Sequence, residues 1–124
     1  TIEYPEYDGN SMYRTAGNIS KNKNVGLLFI NFDGKSRRIR INGSATIHHD
    51  KNTLKGHYGA KFVVRVKCEI YPNCPRYIPN LETKSPSIYV PREGQEVSPA
   101  PEWKKRDYIK NILPKDDPHK KQKT

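Results

Sequence analysis

Three stretches of the chain carry the apolar patterning of β-strands. Val25–Phe32 (Val-Gly-Leu-Leu-Phe-Ile-Asn-Phe) is apolar on both faces for most of its length, which predicts a central, buried strand. Asp33-Gly34 follows, a dipeptide that tolerates the positive φ of a tight hairpin turn. The next run, Arg37–His48, alternates: Ile39, Ile41, Ala45 and Ile47 point one way, and Arg38, Arg40, Asn42, Ser44 and Thr46 the other. Gly43 in its middle predicts a bulge or a close backbone approach. Lys61–Ile70 alternates again, with Phe62, Val64, Val66, Cys68 and Ile70 opposite Lys61, Val63, Arg65, Lys67 and Glu69. Strands with one apolar face and short connections form an antiparallel sheet that curls on itself. The fold class expected is therefore mainly β, a small β-barrel with peripheral helices.

The remaining segments punctuate that sheet. Thr1–Tyr4 reads as the end of a strand with no hairpin partner before it, and Pro5 is expected to break it. Asp8-Gly9-Asn10-Ser11 is a turn running into a helix, with Asn10 or Ser11 as N-cap. Met12, Ala16 and Ile19 lie at helical spacing, and Asn22 to Asn24 ends that helix. Asp50–Ala60 is a polar connection with room for a short helical turn. After Tyr71, Pro72, Pro75, Pro79, Pro86, Pro91, Pro99 and Pro101 impose an extended, irregular covering segment. Glu102–Leu113 is the last predicted helix, with Trp103, Ile109, Ile112 and Leu113 as its apolar contacts and Pro114 as its stop. One domain is expected over residues 1–114, followed by a solvated, disordered basic tail, Lys115–Thr124.

Composition narrows the class. The chain has 124 residues, of which 33% are hydrophobic, so it makes one domain with a thin core that a partner, ligand or second copy would help to close. The longest uncharged apolar run, Val25 to Ile30, is far short of the ~20 residues a membrane helix needs. With no basic-then-apolar leader at its start, the chain is expected in the cytoplasm. Two cysteines are too few for a disulfide framework and argue against a four-ligand zinc site. The net charge is +10, of which the tail carries +2, so the body is basic and suits polyanions or a bound phosphate.

Candidate chemistry follows from placement. A polar turn at a helix N-terminus with Arg14 one turn in combines free N–H groups, the helix dipole and a guanidinium, which suits a phosphate; a capped helix with a solvated Arg14 has the same pattern. Arg38 and Arg40 share a strand face about 7 Å apart, which suits a phosphate, a carboxylate or a nucleic-acid backbone, or is an exposed basic strand. Arg37 points the opposite way. His48, His49 and His57 lack the spacing of a metal site and read as surface histidines. Cys68 reads as a core thiol and Cys74 as an exposed one. No catalytic triad, carboxylate pair or glycine-rich nucleotide loop is present in the pattern.

Ordered motifs along the chain carry a resemblance. Asp8-Gly9-Asn10-x-Met12-x-Arg14-x-x-Gly17-Asn18-Ile19, Val25-Gly26-Leu27-Leu28-Phe29-Ile30 and Arg37-Arg38-Ile39-Arg40-Ile41-Asn42-Gly43 come first. Ile70-Tyr71-Pro72-Asn73-Cys74-Pro75-Arg76-Tyr77-Ile78, Tyr89-Val90-Pro91-Arg92 and Pro101-Glu102-Trp103-Lys104 follow. Together they resemble the pyridoxamine 5′-phosphate oxidase-like flavoproteins. The resemblance implies an FMN-binding split β-barrel, a homodimer with a flavin in each of two clefts at the subunit interface. By this likeness Asn10, Ser11, Met12 and Arg14 would face the FMN phosphate or ribityl chain. Arg38 would take the strand position near the isoalloxazine ring, with Arg40 beside it in the candidate set. Family members carry further barrel strands ahead of the point matching Thr1. The expectation is therefore a shortened member with an open barrel edge, prone to pairing with another chain.

The expected function is FMN binding, with FMN-dependent oxidoreductase chemistry on a small organic substrate if the chain is an enzyme. Specific pyridoxamine phosphate oxidation is not expected, because no substrate-phosphate arginine and histidine set stands near the C-terminus. The alternatives are a basic β-barrel that binds nucleic acid through Arg38, Arg40, Arg65 and Lys67, and a non-catalytic remnant of the flavoprotein fold that folds only as a dimer.

Overall fold

The computed structural model describes residues 1–95, 101–117 and 120. In chain order they form β1 (Ile2–Glu6), α1 (Arg14–Lys21), β2 (Asn24–Asn31), β3 (Arg37–His48), α2 (Lys51–Lys55), β4 (Phe62–Asn73), a 3₁₀ turn (Glu102–Lys105) and α3 (Asp107–Lys110). The four strands make one antiparallel sheet in the order β1-β4-β3-β2. The protein is mainly β: the sheet curls into half a barrel, and β1 and β2 remain as its two edges.

The two alternating runs take the centre. β3 spans the predicted Arg37–His48 and pairs along its length with β4, Ile41 opposite Ile70 and Ala45 opposite Val66. Their shared inner face supplies Ala45, Val64, Val66 and Phe62, which with Ile19 of α1 form the core. Tyr4, Tyr13, Ala16, Val25, Leu27, Ile47 and Cys68 pack around it. Burying each of these valines stabilises the fold by roughly 1.5–3 kcal/mol. Gly43 is the close approach its sequence implied. A Cβ there would fall inside contact distance of the Lys67 carbonyl oxygen and 2.9 Å from Cys68 Cα.

Several expectations change. Val25–Phe32 was expected to be central, but β2 is an edge strand with Leu28 52% and Phe29 47% exposed. An all-apolar run says that both faces want cover, and this chain leaves that cover off. Pro5 does not end β1: it sits opposite Val63, on an edge where a missing N–H breaks no ladder. β4 likewise continues through Pro72, because β1 pairs only with Phe62 to Val66 and leaves β4 a single neighbour beyond. The expected barrel closure is not reached, since the two edge strands do not meet.

The helices also shift. α1 starts at Arg14 after Tyr13, which has φ 46°, so neither Asn10 nor Ser11 is its N-cap, and Met12 lies outside the helix with its side chain exposed. Asn10 spends its Oδ1 on the Met12 N–H at 3.1 Å, closing an Asx turn instead of capping. The single helix expected over Glu102–Leu113 is broken at Arg106, whose ψ of 136° is extended, into the 3₁₀ turn and α3. Leu113 is buried, whereas Ile112 is exposed and makes no core contact. The tail is not wholly solvated either: Asp117 is buried, and Lys120 Nζ donates to the Leu113 carbonyl at 2.6 Å. Residues 118–119 and 121–124 lie outside the described residues, as does Pro99 of the proline-rich stretch.

Edge strand β1 is tied down electrostatically. Glu3 accepts from Arg65 Nε at 2.5 Å, and its other oxygen lies 3.6 Å from His57 Nε2. The Arg65 hydrogen bond, with the Arg65 charge and then His57 adding to it, holds the Glu3 carboxyl below the ordinary glutamate range against an opposing desolvation. A depressed carboxylate stabilises the fold above its unfolded pKa and loses that contribution as pH falls through the folded value. Glu3→Gln is therefore expected to be less stable than wild type at neutral pH, with the difference starting to shrink below about pH 4, near the unfolded glutamate pKa, and vanishing only below the lowered folded value, as read by urea denaturation across pH.

Candidate functional site

Four of the residues singled out by sequence come together. Asn10, Ser11, Met12 and Arg14 line one recess of about 240 Å³, with Glu6, Tyr7, Gly9, Tyr13 and Thr15. Ser11 and Tyr13 both adopt left-handed backbone, at φ 61° and 46°, which turns the chain sharply into α1. The Tyr13 ring packs edge-on against Phe62, centroids 5.3 Å apart, and anchors the turn to the core. Burial, together with Asp8, Asp116 and Asp117 nearby, raises the Tyr13 phenol above its ordinary pKa, while Lys104 acts against it.

The helix beyond this turn opens on the recess without a side-chain cap. Its first intrahelical bond runs from Gly17 N–H to the Tyr13 carbonyl at 2.9 Å. The N–H groups of Arg14, Thr15 and Ala16 thus precede the helix's own ladder and are available to an acceptor. Their dipole and the exposed Arg14 side chain favour an anion there. Glu6 lines the same recess and disfavours negative charge on its own side.

Behind the turn lies a charged cluster that the sequence did not announce. Lys104 is only 1% exposed, and its Nζ donates to Asp8 Oδ2 at 2.7 Å and Asp117 Oδ2 at 2.8 Å. Ser11 Oγ lies 3.4 Å from Asp8 Oδ1 and 3.3 Å from Asp117 Oδ2. The ammonium also sits 5.6 Å from the centre of the Trp103 ring. Burial pulls the Lys104 pKa down, but the hydrogen bonds and charges of Asp117 and Asp8 outweigh it and hold it above the ordinary lysine value. A lysine in Trp-Lys-Lys reads as surface charge, and Asp117 falls in a segment that reads as solvent, so no sequence signal marked either.

Arg38 and Arg40 do not join the recess. The register places them on the sheet face opposite Ala45 and the core, Arg38 across from Ile30 and Arg40 between Leu28 and Tyr71. Arg65 and Lys67 share that outer face, opposite Thr46 and Ser44. The basic face is interrupted: Glu3 holds Arg65, and Glu69, between the two cationic pairs, accepts from the Tyr71 hydroxyl at 2.5 Å. An open groove of about 640 Å³ runs past Asn24, Val25, Asn42, Gly43, Lys67, Cys68 and Glu69.

The remaining candidates are local. His48 Nδ1 lies 3.9 Å from Asp50, His57 faces Glu3, and the His49 ring packs 5.4 Å from Phe62. No cluster that could hold a metal occurs among the described residues. Cys68 is half-buried against the core and Cys74 exposed, both free thiols. No helix among the described residues is long and apolar enough to cross a membrane. No protein-family model, characterised protein or solved structure matches the chain.

Proposed function

We propose that this chain is an FMN-binding protein of the split-barrel type, related to the pyridoxamine 5′-phosphate oxidases, that works as a homodimer in FMN-dependent redox chemistry on a small organic substrate. The observation that carries this reading is the uncapped start of α1, open on a polar recess lined by Asn10, Ser11, Met12 and Arg14. Those donors suit the phosphate of FMN. At about 240 Å³ the recess is smaller than the ~300–1,000 Å³ typical of a whole-ligand pocket, so it fits the phosphate end and not the ring system.

The dimer follows from the same limit. Arg38 and Arg40 lie on the opposite face of the sheet from the core that α1 packs on, so one flavin touched by both groups needs a second copy to supply one of them. At the hairpin end of the sheet Phe29, Ile39 and Ile70 are exposed on the core-side face, and Leu28 and Ile30 on the other face beside Arg40 and Arg38, apolar surfaces of the kind a partner subunit covers. When bound, FMN would supply the redox chemistry, and the chain's residues would hold and orient it.

Titration with FMN, followed by removal of the excess, tests the reading. Retained absorbance near ~370 and ~450 nm, the flavin's own bands, is the expected result. Arg14→Ala removes a charge-assisted hydrogen bond of about 1.5–3 kcal/mol and should weaken binding roughly 10- to 100-fold. Light scattering should give twice 14.3 kDa. A folded but colourless protein, or an Arg14→Ala variant that binds FMN as wild type does, would overturn it.

A further inference from the structure

We infer that Lys104 and Asp117 form a latch through which the C-terminal segment holds the Asp8–Tyr13 turn in its binding shape, so that release of the latch lowers ligand affinity at the recess. The ligand named here rests on the FMN reading; the latch itself rests only on the geometry of the turn.

The cluster joins three parts of the chain that share no secondary structure. Asp8 comes from the turn, Lys104 from the 3₁₀ turn 96 residues later, and Asp117 from the segment beyond α3. A buried ammonium is tolerated only while its partners neutralise it, so Lys104 stays buried only when both carboxylates reach it. Asp117, like Lys104, touches both other parts, accepting from Lys104 at 2.8 Å and lying 3.3 Å from Ser11 Oγ across 106 residues of sequence. The groups facing Lys104 are thus Asp8 and Asp117, with the Ser11 hydroxyl between the two carboxylates, the Trp103 ring beside it, and Tyr13 and Asp116 close by.

Ser11 and Tyr13 are where this matters. Both hold left-handed backbone that residues with a Cβ leave when nothing constrains them. Tyr13 is fixed from the core side by Phe62, whereas Ser11 is fixed from the Asp8–Asp117 side. Both residues line the recess, and Tyr13 is the cap position that aims the first N–H groups of α1. Withdrawing Asp117 removes one of Lys104's two carboxylates and one anchor of Ser11 together, and leaves the turn held by Phe62 and by the contacts of Asp8 with Ser11 and Lys104.

Asp117→Asn in the full chain tests this, with amide hydrogen exchange read without ligand. Asparagine keeps an acceptor but loses the charge, so the amides of Gly9 to Tyr13 should exchange at least tenfold faster while those of β3 and β4 keep the wild-type rate. Ser11→Ala, which cuts only the hydroxyl link, should loosen the same amides by a smaller factor. The affinity for FMN should fall about tenfold in Asp117→Asn, and by reciprocity FMN added to wild type should slow exchange at Asp117 itself. Unchanged exchange at Gly9 to Tyr13 in Asp117→Asn, or an equal rise across β3 and β4, would overturn the latch. A wild-type protein that binds no FMN would count against the flavin reading, and the exchange comparison would still decide the latch.

Discussion

Lys104→Met is expected to lower folding stability by about 3–5 kcal/mol, because it leaves Asp8 and Asp117 facing each other with the central cation gone. The side chain it replaces is 1% exposed, and the Asp117 side chain is equally buried, so water cannot substitute for the ammonium without opening the cluster. At roughly 4 °C per kcal/mol for a chain of this size, the thermal midpoint should fall by roughly 12–20 °C. The pH dependence has a definite sign. Two carboxylates brought together without a cation have raised pKa values in the folded state, and a raised carboxyl favours the fold at low pH. The deficit of Lys104→Met against wild type should therefore shrink as pH falls toward the carboxylate range. Urea denaturation of both proteins from pH 4 to 8 measures this. A loss under about 1 kcal/mol at pH 7 would mean that the cluster behaves like an exposed ion pair.

Gly43→Val should cost about 3 kcal/mol or more. Position 43 lies midway along β3, paired with Val25 on one side and Cys68 on the other, and a Cβ there meets the Lys67 carbonyl and Cys68 Cα. Overpacking of flexible side chains typically costs 1–3 kcal/mol. Here the neighbours are backbone, which cannot rotate away, so β3 and β4 must separate at the middle of the sheet or the strand must slip. Gly26→Ala on β2 is the control: its Cβ would meet only Asn42 Oδ1 at 3.6 Å, an ordinary contact, and the change should stay within about 1 kcal/mol of neutral. Equal midpoints for Gly43→Val and wild type in urea would show that the two central strands lie farther apart than described.

The β-strand content was legible because strand alternation is a local property. Arg37–His48 and Lys61–Ile70 each displayed an apolar face at period two, and the part of that face from Ala45 to Ile47 and from Phe62 to Cys68 became the core, while Ile39 and Ile70 stayed exposed. The hairpin at Asp33-Gly34 was readable for the same reason, and a glycine inside an alternating strand signalled the close approach at Gly43, although the atoms it meets belong to Lys67 and Cys68 of β4. The role of Val25–Phe32 was not readable. Its composition announced a demand for cover on both faces, but the strand order that makes it an edge is set by which strands β3 and β4 choose as neighbours. The recess was legible in part: Asn10 to Arg14 carry the right groups at the start of a helix, yet their use depended on local competition. Asn10 closed an Asx turn and Ser11 turned toward Asp8 and Asp117, which left α1 uncapped.

What the sequence determined by itself was the set of strands, the inward faces of β3 and β4 at the core, the place of the hairpin connection between β2 and β3 and the polar turn that opens α1. These follow from steric periodicity and from side-chain chemistry within a few residues. The tertiary structure alone decided that the sheet stays open at half a barrel, that Arg38 and Arg40 lie away from the recess, and that Lys104 is buried. A lysine is driven into the interior only by carboxylates that approach it from distant parts of the chain. Asp8 and Asp117 do so across 96 and 13 residues, and no local pattern records that meeting.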